Sequence, residues 1–409
     1  MASGVHAAAM MWHMPHGLSV QGLGSSSDLA VFGGTPAFAE PLHVGRPHIG
    51  DRARFGELLE GVLDRRWLTN DGPLVCELEE RVAAHVGVGH CVAMCNGTVA
   101  LEIAIRALGL TGEVIVPSYT FIATAHALHW QGLTPVFADI DPRTHTLSPE
   151  AVRRAITPRT TGIIGVHLWG RGADVEALQG VADEHGLELM FDAAHAFGCT
   201  HGQRMIGGFG RAEVLSFHAT KFFHSFEGGA VVTDDEGLAA EMRLIRNFGF
   251  AGEDTVAHSG TNGKMTEVCA AMGLANLPRL DRALDINRAN HATYTRSLQG
   301  LPGVEVMRYD EMERNNYQYV VLAIDRSAGV SRDDLWRTLQ AENVLARRYF
   351  WPGCHRMLPY RDLFPRAGLS LPHTEAAADQ VLVLPTGDSV SPDDIEVIAS
   401  ILEKRIATG

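Results

Sequence analysis

Long apolar runs are missing from this sequence: nowhere does it reach the ~18 uninterrupted apolar residues that would read as a membrane-spanning helix. Basic clusters are missing as well. No run of five to eight lysines and arginines occurs, and 34 basic against 48 acidic side chains leave a formal charge of −14. Such a chain carries no electrostatic footprint for nucleic acid, and an anionic substrate requires local positive groups set against the overall field. Cysteine is sparse and scattered. Of the six, only Cys91 and Cys95 lie close together, in neither a CxxC spacing nor with a second pair. They read as reduced thiols of a cytoplasmic protein rather than as a disulfide framework or a metal site. Residues 1–16 contain no lysine or arginine, so the positive start of a signal peptide is absent. Rich in Met, His, Ala and Gly without a period, residues 1–25 are expected to form a disordered tail.

What is present is a globular chain of 409 residues with 46% hydrophobic side chains, enough for one large α/β domain and a smaller companion. From about Val92, short apolar runs alternate with longer amphipathic ones. The runs predict strands over 113–117, 135–139, 162–167, 187–192, 214–217 and 230–233. Helices are predicted over 99–108, 121–130, 149–156, 175–185 and 236–247. Ser148 followed by Pro149 is an N-cap with proline at the first helical position, and Gly186 stands where a helix stops in the left-handed conformation. This alternation implies a mostly parallel sheet covered by helices on both faces, with ligand groups gathered beyond the carboxyl ends of the strands. A long helical stretch from Met265 to about Leu298, punctuated by Pro278, leads out of it. A mixed set of strands and helices follows. The division expected is a large domain over 26–290 and a small α+β domain over 291–409.

Three segments carry chemistry. The run Phe217-His218-Ala219-Thr220-Lys221-Phe222, followed by Glu227-Gly228-Gly229, places a lysine after a strand and before a glycine pair. A desolvated lysine there loses its proton readily and forms an imine with a carbonyl. Taken alone, the segment reads more simply as a surface lysine beside a turn. The strand Leu189-Met190-Phe191 ends in Asp192, with His195 three residues on. A carboxylate at that strand end can hold a pyridine nitrogen protonated, and it reads equally well as a helix N-cap. The run Cys95-Asn96-Gly97-Thr98-Val99 is a strand-to-helix turn whose N–H groups and positive dipole end suit a phosphate. It matches neither the Walker pattern nor GxGxxG, which disfavours a nucleotide-hydrolysing loop. Each signal is weak by itself; the order of phosphate turn, strand-end carboxylate and strand-end lysine forms a constellation.

With these residues in view, the chain resembles the DegT/DnrJ/EryC1/StrS family of sugar aminotransferases, from about Pro47 to the C-terminus. Five separated motifs support the likeness. Asn96-Gly97-Thr98 lies where the family has Ser-Gly-Thr for a cofactor phosphate. Pro117-Ser118-Tyr119-Thr120-Phe121 matches the segment whose aromatic, here Phe121, stacks on the cofactor ring. Asp192-Ala193-Ala194-His195 matches the pyridinium-binding motif. Ser216 followed by Lys221 matches the phosphate-binding serine and the Schiff-base lysine. Gly260-Thr261-Asn262-Gly263-Lys264-Met265 resembles the loop whose asparagine reaches the neighbouring subunit's phosphate. Two positions depart from the usual pattern: Asn96 replaces a serine, and Phe191 stands where an acidic residue is common. His195 occupies a site that is Gln or His in the family, near the cofactor's phenolic oxygen.

The resemblance implies the fold of pyridoxal 5'-phosphate (PLP) transferases of type I, with PLP as cofactor and its pyridoxamine form between half-reactions. It also implies a homodimer with shared active sites, and Lys221 and Asp192 as the catalytic pair. L-Glutamate or L-glutamine is the implied amino donor. The implied acceptor is a nucleotide-linked keto sugar. The segment Arg347-Arg348-Tyr349-Phe350-Trp351-Pro352-Gly353-Cys354-His355-Arg356 resembles members acting on dTDP-deoxysugars, with His355, Arg347 and Tyr349 as candidate sugar contacts. Within that group the C4 ketone of dTDP-4-keto-6-deoxyglucose is favoured over a C3-keto sugar or a keto-cyclitol. Two other classes stay open: another type I reaction such as a desulfurase, aldolase or decarboxylase, and a PLP-binding regulator without turnover.

Overall fold

The computed structural model describes residues 28–408; the tail expected over 1–25 lies outside them. Seven strands build the central sheet: β1 (His90–Met94), β2 (Glu113–Pro117), β3 (Thr134–Ala138), β4 (Thr160–Val166), β5 (Glu188–Asp192), β6 (Ala212–Ser216) and β7 (Gly229–Thr233). Their order across the sheet is β1-β7-β6-β5-β4-β2-β3. β7 runs antiparallel to both its neighbours, and the remaining pairs are parallel. The strands are apolar almost throughout because both faces are covered. Along β5, Leu189 and Phe191 enter the core on one face while Met190 enters the core on the other. β1 divides in the same way, Cys91 and Ala93 against Val92 and Met94. On one face lie the helices Arg52–Arg65, Pro73–Val86, Val175–His185 and Glu267–Asn276; on the other lie Gly97–Ala107, Ile122–His129 and Glu236–Arg246.

Local signals act as the sequence predicts. Ser148 caps the helix Pro149–Ala155 by accepting from the Ala151 N–H, and Gly186 ends the helix Val175–His185 with φ +64°. The stretch expected as one long helix is two, Glu267–Asn276 and Leu280–Ser297, joined by a tighter turn at Leu277–Arg279. Pro278 supplies the break, since it has no N–H to donate back into the preceding turn.

The smaller unit is a three-stranded antiparallel sheet of β8 (Val304–Val306), β9 (Val320–Ile324) and β10 (Val381–Leu384), packed on Arg332–Ala341, Pro392–Ala407 and the end of Leu280–Ser297. Ser331 and Ser391 open the first two of these helices with reciprocal capping boxes to Asp334 and Asp394. The N-terminal segment joins this unit rather than the large sheet. Leu29 and Leu42 lie in its core, the two-residue strand Leu42–His43 pairs with Val344–Leu345, and buried Glu342 accepts from the Ala30 and Ala37 N–H groups. Residues 29–43 thus pack with the unit otherwise built from residues 280–407.

Candidate active site

Parity of the pleat decides which strand-end side chains meet. Asp192 is two residues beyond Met190, and Ser216 two beyond Val214, so both fall on the face covered by the helix Gly97–Ala107. Gly229 at the start of β7 pairs with both Met94 and Ser216. This sets three backbone ends side by side beneath the turn that opens that helix. The approach is close: a Cβ on Gly229 would lie 2.6 Å from the Gly97 nitrogen, and one on Gly97 would lie 3.2 Å from Ser216 Cβ. Asn96 is extended at φ −165° and spends its Oδ1 on the Val99 N–H at 2.9 Å. Its amide therefore caps the helix, and the Gly97 and Thr98 N–H groups are left pointing out of the turn, where a phosphate is best received.

Asp192 is buried and gripped from two sides. Thr124 Oγ1 donates to Oδ2 at 2.8 Å, and the Ala194 N–H donates to Oδ1 at 3.0 Å. Thr124 is one helical turn from Thr120, whose hydroxyl lies 3.2 Å away. The i, i+4 spacing of these threonines makes them neighbours, but nothing in it points to Asp192. Phe121, at the head of the same helix, is 57% exposed, which leaves a ring face free at the mouth of the site.

Lys221 lies in the loop after β6, its N–H bonded to the His218 carbonyl at 2.8 Å. Burial disfavours its ammonium form and brings its pKa down to about 8, against the opposing pull of the Asp192 carboxylate. His195 is buried among aromatic rings, with centroids 4.6 Å from Tyr319 and 5.9 Å from Trp169 and from Phe350. Burial, aided by the Lys221 charge, holds its imidazole neutral well below the usual histidine range, and its Nδ1 has no hydrogen-bond partner.

These residues fit PLP. Free N–H groups over a glycine floor suit its phosphate, a fixed carboxylate suits its ring nitrogen, and a lysine that deprotonates near neutrality suits its aldehyde. His195 Nδ1 is an orphaned polar atom awaiting a partner such as the phenolic oxygen.

The expected sugar contacts are placed differently from one another. His355 is buried with both ring nitrogens engaged, Nδ1 with Ser118 Oγ and Nε2 with Glu375 Oε1, each at 2.7 Å; it braces the Ser118 turn. Arg347 is exposed and lies over the Tyr349 ring at 5.2 Å. Tyr349 accepts from the Tyr119 hydroxyl through its carbonyl at 2.6 Å, and its ring stacks on Phe350 at 5.1 Å, within the aromatic box around His195. Asn262 is exposed, bridged to Asn247, and adjoins Gly263, whose carbonyl accepts from the Cys95 N–H at 2.8 Å.

A profile of the DegT/DnrJ/EryC1/StrS aminotransferase family matches residues 51–403. The chain is 36% identical over 362 residues to the dTDP-4-amino-4,6-dideoxy-D-glucose transaminase of Escherichia coli, covering 88% of this chain and 98% of that one. It is 34% identical to the GDP-perosamine synthase of Caulobacter vibrioides, over 84% of this chain and 92% of that one. Among solved structures it superposes on DesI, crystallised in the presence of its TDP-sugar product, with a TM-score of 0.89 and 54% identity over 93% of this chain and 96% of that one. The Helicobacter pylori aminotransferase PseC superposes with a TM-score of 0.84 and 25% identity over 90% of this chain and all of that one. The chain therefore belongs to the DegT/DnrJ/EryC1/StrS aminotransferases and is a PLP-dependent sugar aminotransferase of fold type I.

Proposed function

We propose that this enzyme transfers an amino group from L-glutamate, or L-glutamine, to the C4 ketone of dTDP-4-keto-6-deoxyglucose, forming a 4-amino-4,6-dideoxy sugar in the cytoplasm. The observation that carries the chemistry is Lys221: an amine with a pKa lowered to about 8 beside the Asp192 carboxylate. PLP, when bound, supplies an electron sink for the reacting carbon. Asp192, fixed by Thr124 and the Ala194 N–H, keeps a negative charge at the ring nitrogen. Lys221 Nζ takes the proton from the donor's α-carbon as general base, and neutral His195 offers Nδ1 to the ring oxygen. The C4 position is supported by the relative from Escherichia coli, named for a 4-amino-4,6-dideoxy sugar, and the thymidine carrier by the TDP-sugar product of DesI.

The reading extends to a homodimer with shared sites. Asn262 stands on a loop with Phe248 and Phe250, which are 47% and 40% exposed, an apolar surface suited to a second copy. The test of substrate is a screen of dTDP-linked 3-keto and 4-keto deoxysugars with glutamate, read by mass and NMR. A product aminated at C3, or none from either sugar, would overturn the C4 assignment.

A further inference from the structure

A cleft of about 310 Å³ opens beside Lys221, and one of its walls is the stretch 45–50, which has no regular secondary structure of its own beyond a turn at its start. This stretch arrives from the small unit, where Leu42 and His43 pair with Val344 and Leu345, and crosses the loop that carries the lysine. It passes so near that a Cβ on Gly45 would lie 3.0 Å from Thr220 Cβ.

Three side chains fasten the crossing. His48 Nε2 lies 3.0 Å from the Phe222 carbonyl oxygen, which can only accept, so this nitrogen carries the ring proton and donates it. His224 Nε2 donates in turn to the His48 carbonyl at 2.6 Å. Asn276, fully buried at the end of the helix Glu267–Asn276, ties the two sides together. Its Oδ1 accepts from the Gly50 N–H at 3.1 Å, and its Nδ2 donates to the His224 carbonyl at 2.9 Å. Phe222, the residue after the lysine, is thereby held at both backbone polar groups, because its N–H donates to Gln318 Oε1 at 2.7 Å.

Such fixing bears on the lysine's chemistry. Lys221 is half-buried, and the cleft at its side would fill with water if residues 45–50 swung away. Water restores the ammonium form that burial disfavours. The charged or titratable groups around the lysine are Asp192 and His195 within the site and Arg46, Arg279, Arg282 and Asp388 along the cleft. A substitution at His48 leaves all of these in place.

We propose that residues 45–50 are a strap over the Lys221 loop, and that His48 is the positioning residue which holds the strap down and keeps water from the lysine's amine. The assignment rests on the reading of Lys221 as the reacting amine.

The test reads the lysine's titration in the cofactor-free, full-length chain, by acylation across pH and peptide mapping, since only the neutral amine reacts. The wild-type midpoint should fall near 8, and His48→Ala should raise it by about one pH unit or more. His48→Gln, which keeps an N–H donor near the Nε2 position and can carry no charge, should return it to the wild-type value. Leu335→Ala, a cavity in the small unit's core, should lower the unfolding temperature and leave the midpoint alone, all variants being labelled well below their unfolding temperatures. An unmoved midpoint in His48→Ala would overturn the strap, as would an equal rise in Leu335→Ala, the mark of general loosening. An equal rise in His48→Gln would also overturn it, by tracing the effect to the imidazole and not to its bond. A wild-type midpoint near the roughly 10.4 of an ordinary lysine would instead deny the reading of Lys221, and the strap with it.

Discussion

Asp192 is held on both carboxylate oxygens, by the Thr124 hydroxyl and the Ala194 N–H, so asparagine in its place alters charge far more than shape. The Thr124 hydroxyl can rotate to accept from the new amide. Asp192→Asn should therefore lower kcat on the order of 10²-fold or more, as single electrostatic contributions in active sites do, while PLP affinity changes little. Wild-type turnover in that variant would make Asp192 a cap and nothing more. Lys221 offers a test free of turnover. Only a neutral amine attacks an acylating reagent, so labelling of the cofactor-free protein rises with pH through the pKa of the group. For Lys221 the midpoint should fall near 8, because burial penalises the ammonium, against roughly 10.4 for an ordinary lysine. Peptide mapping after labelling across that range measures it, and a midpoint near the ordinary value would deny the desolvation argued here.

Among the elements, the helix Gly97–Ala107 matters most at its first turn. The N–H groups proposed to take the phosphate rest on β7 through Gly229, where a Cβ would sit 2.6 Å from the Gly97 nitrogen and 2.7 Å from the Asn96 carbonyl carbon. Both atoms are backbone, so neither can swing aside as a side-chain tip can. Gly229→Ala must push the turn away from β7 and spoil the proposed phosphate cradle. The expected result is a PLP dissociation constant raised about tenfold or more, with an overpacking cost of roughly 1–3 kcal/mol in stability. Equilibrium dialysis of PLP and thermal unfolding of the apoenzyme separate these effects. Unchanged PLP affinity would mean that the cradle lies elsewhere.

For the whole molecule, the proposed sharing of sites makes a stoichiometric prediction. In a mixed dimer of Lys221→Ala and Asn262→Arg chains, one site collects both defects and the other is intact, provided Asn262 serves its partner. Refolding the two inactive variants together should restore up to roughly a quarter of wild-type activity if chains pair at random. Heterodimers shown to form without activity would place Asn262 in its own chain's site.

Much of this enzyme was legible before any packing was known. The strand Glu113–Pro117 and the helix Val175–His185 coincide with their expected bounds, and the Ser148 cap and Gly186 stop act as read. These depend on a few neighbouring residues, whose backbone preferences and apolar period are written locally. The ordered motifs around Asn96, Asp192 and Lys221 are local in the same sense, which is why the chemistry could be named from them. What only the tertiary structure decided is which distant residues meet. Thr124 reaches Asp192 across 68 positions, and Gln318 reaches the residue after Lys221 across 96. The N-terminal segment crosses 305 positions to be capped by Glu342. No spacing encodes such partners: they follow from the strand order β1-β7-β6-β5-β4-β2-β3 and from the side of the pleat on which each strand ends.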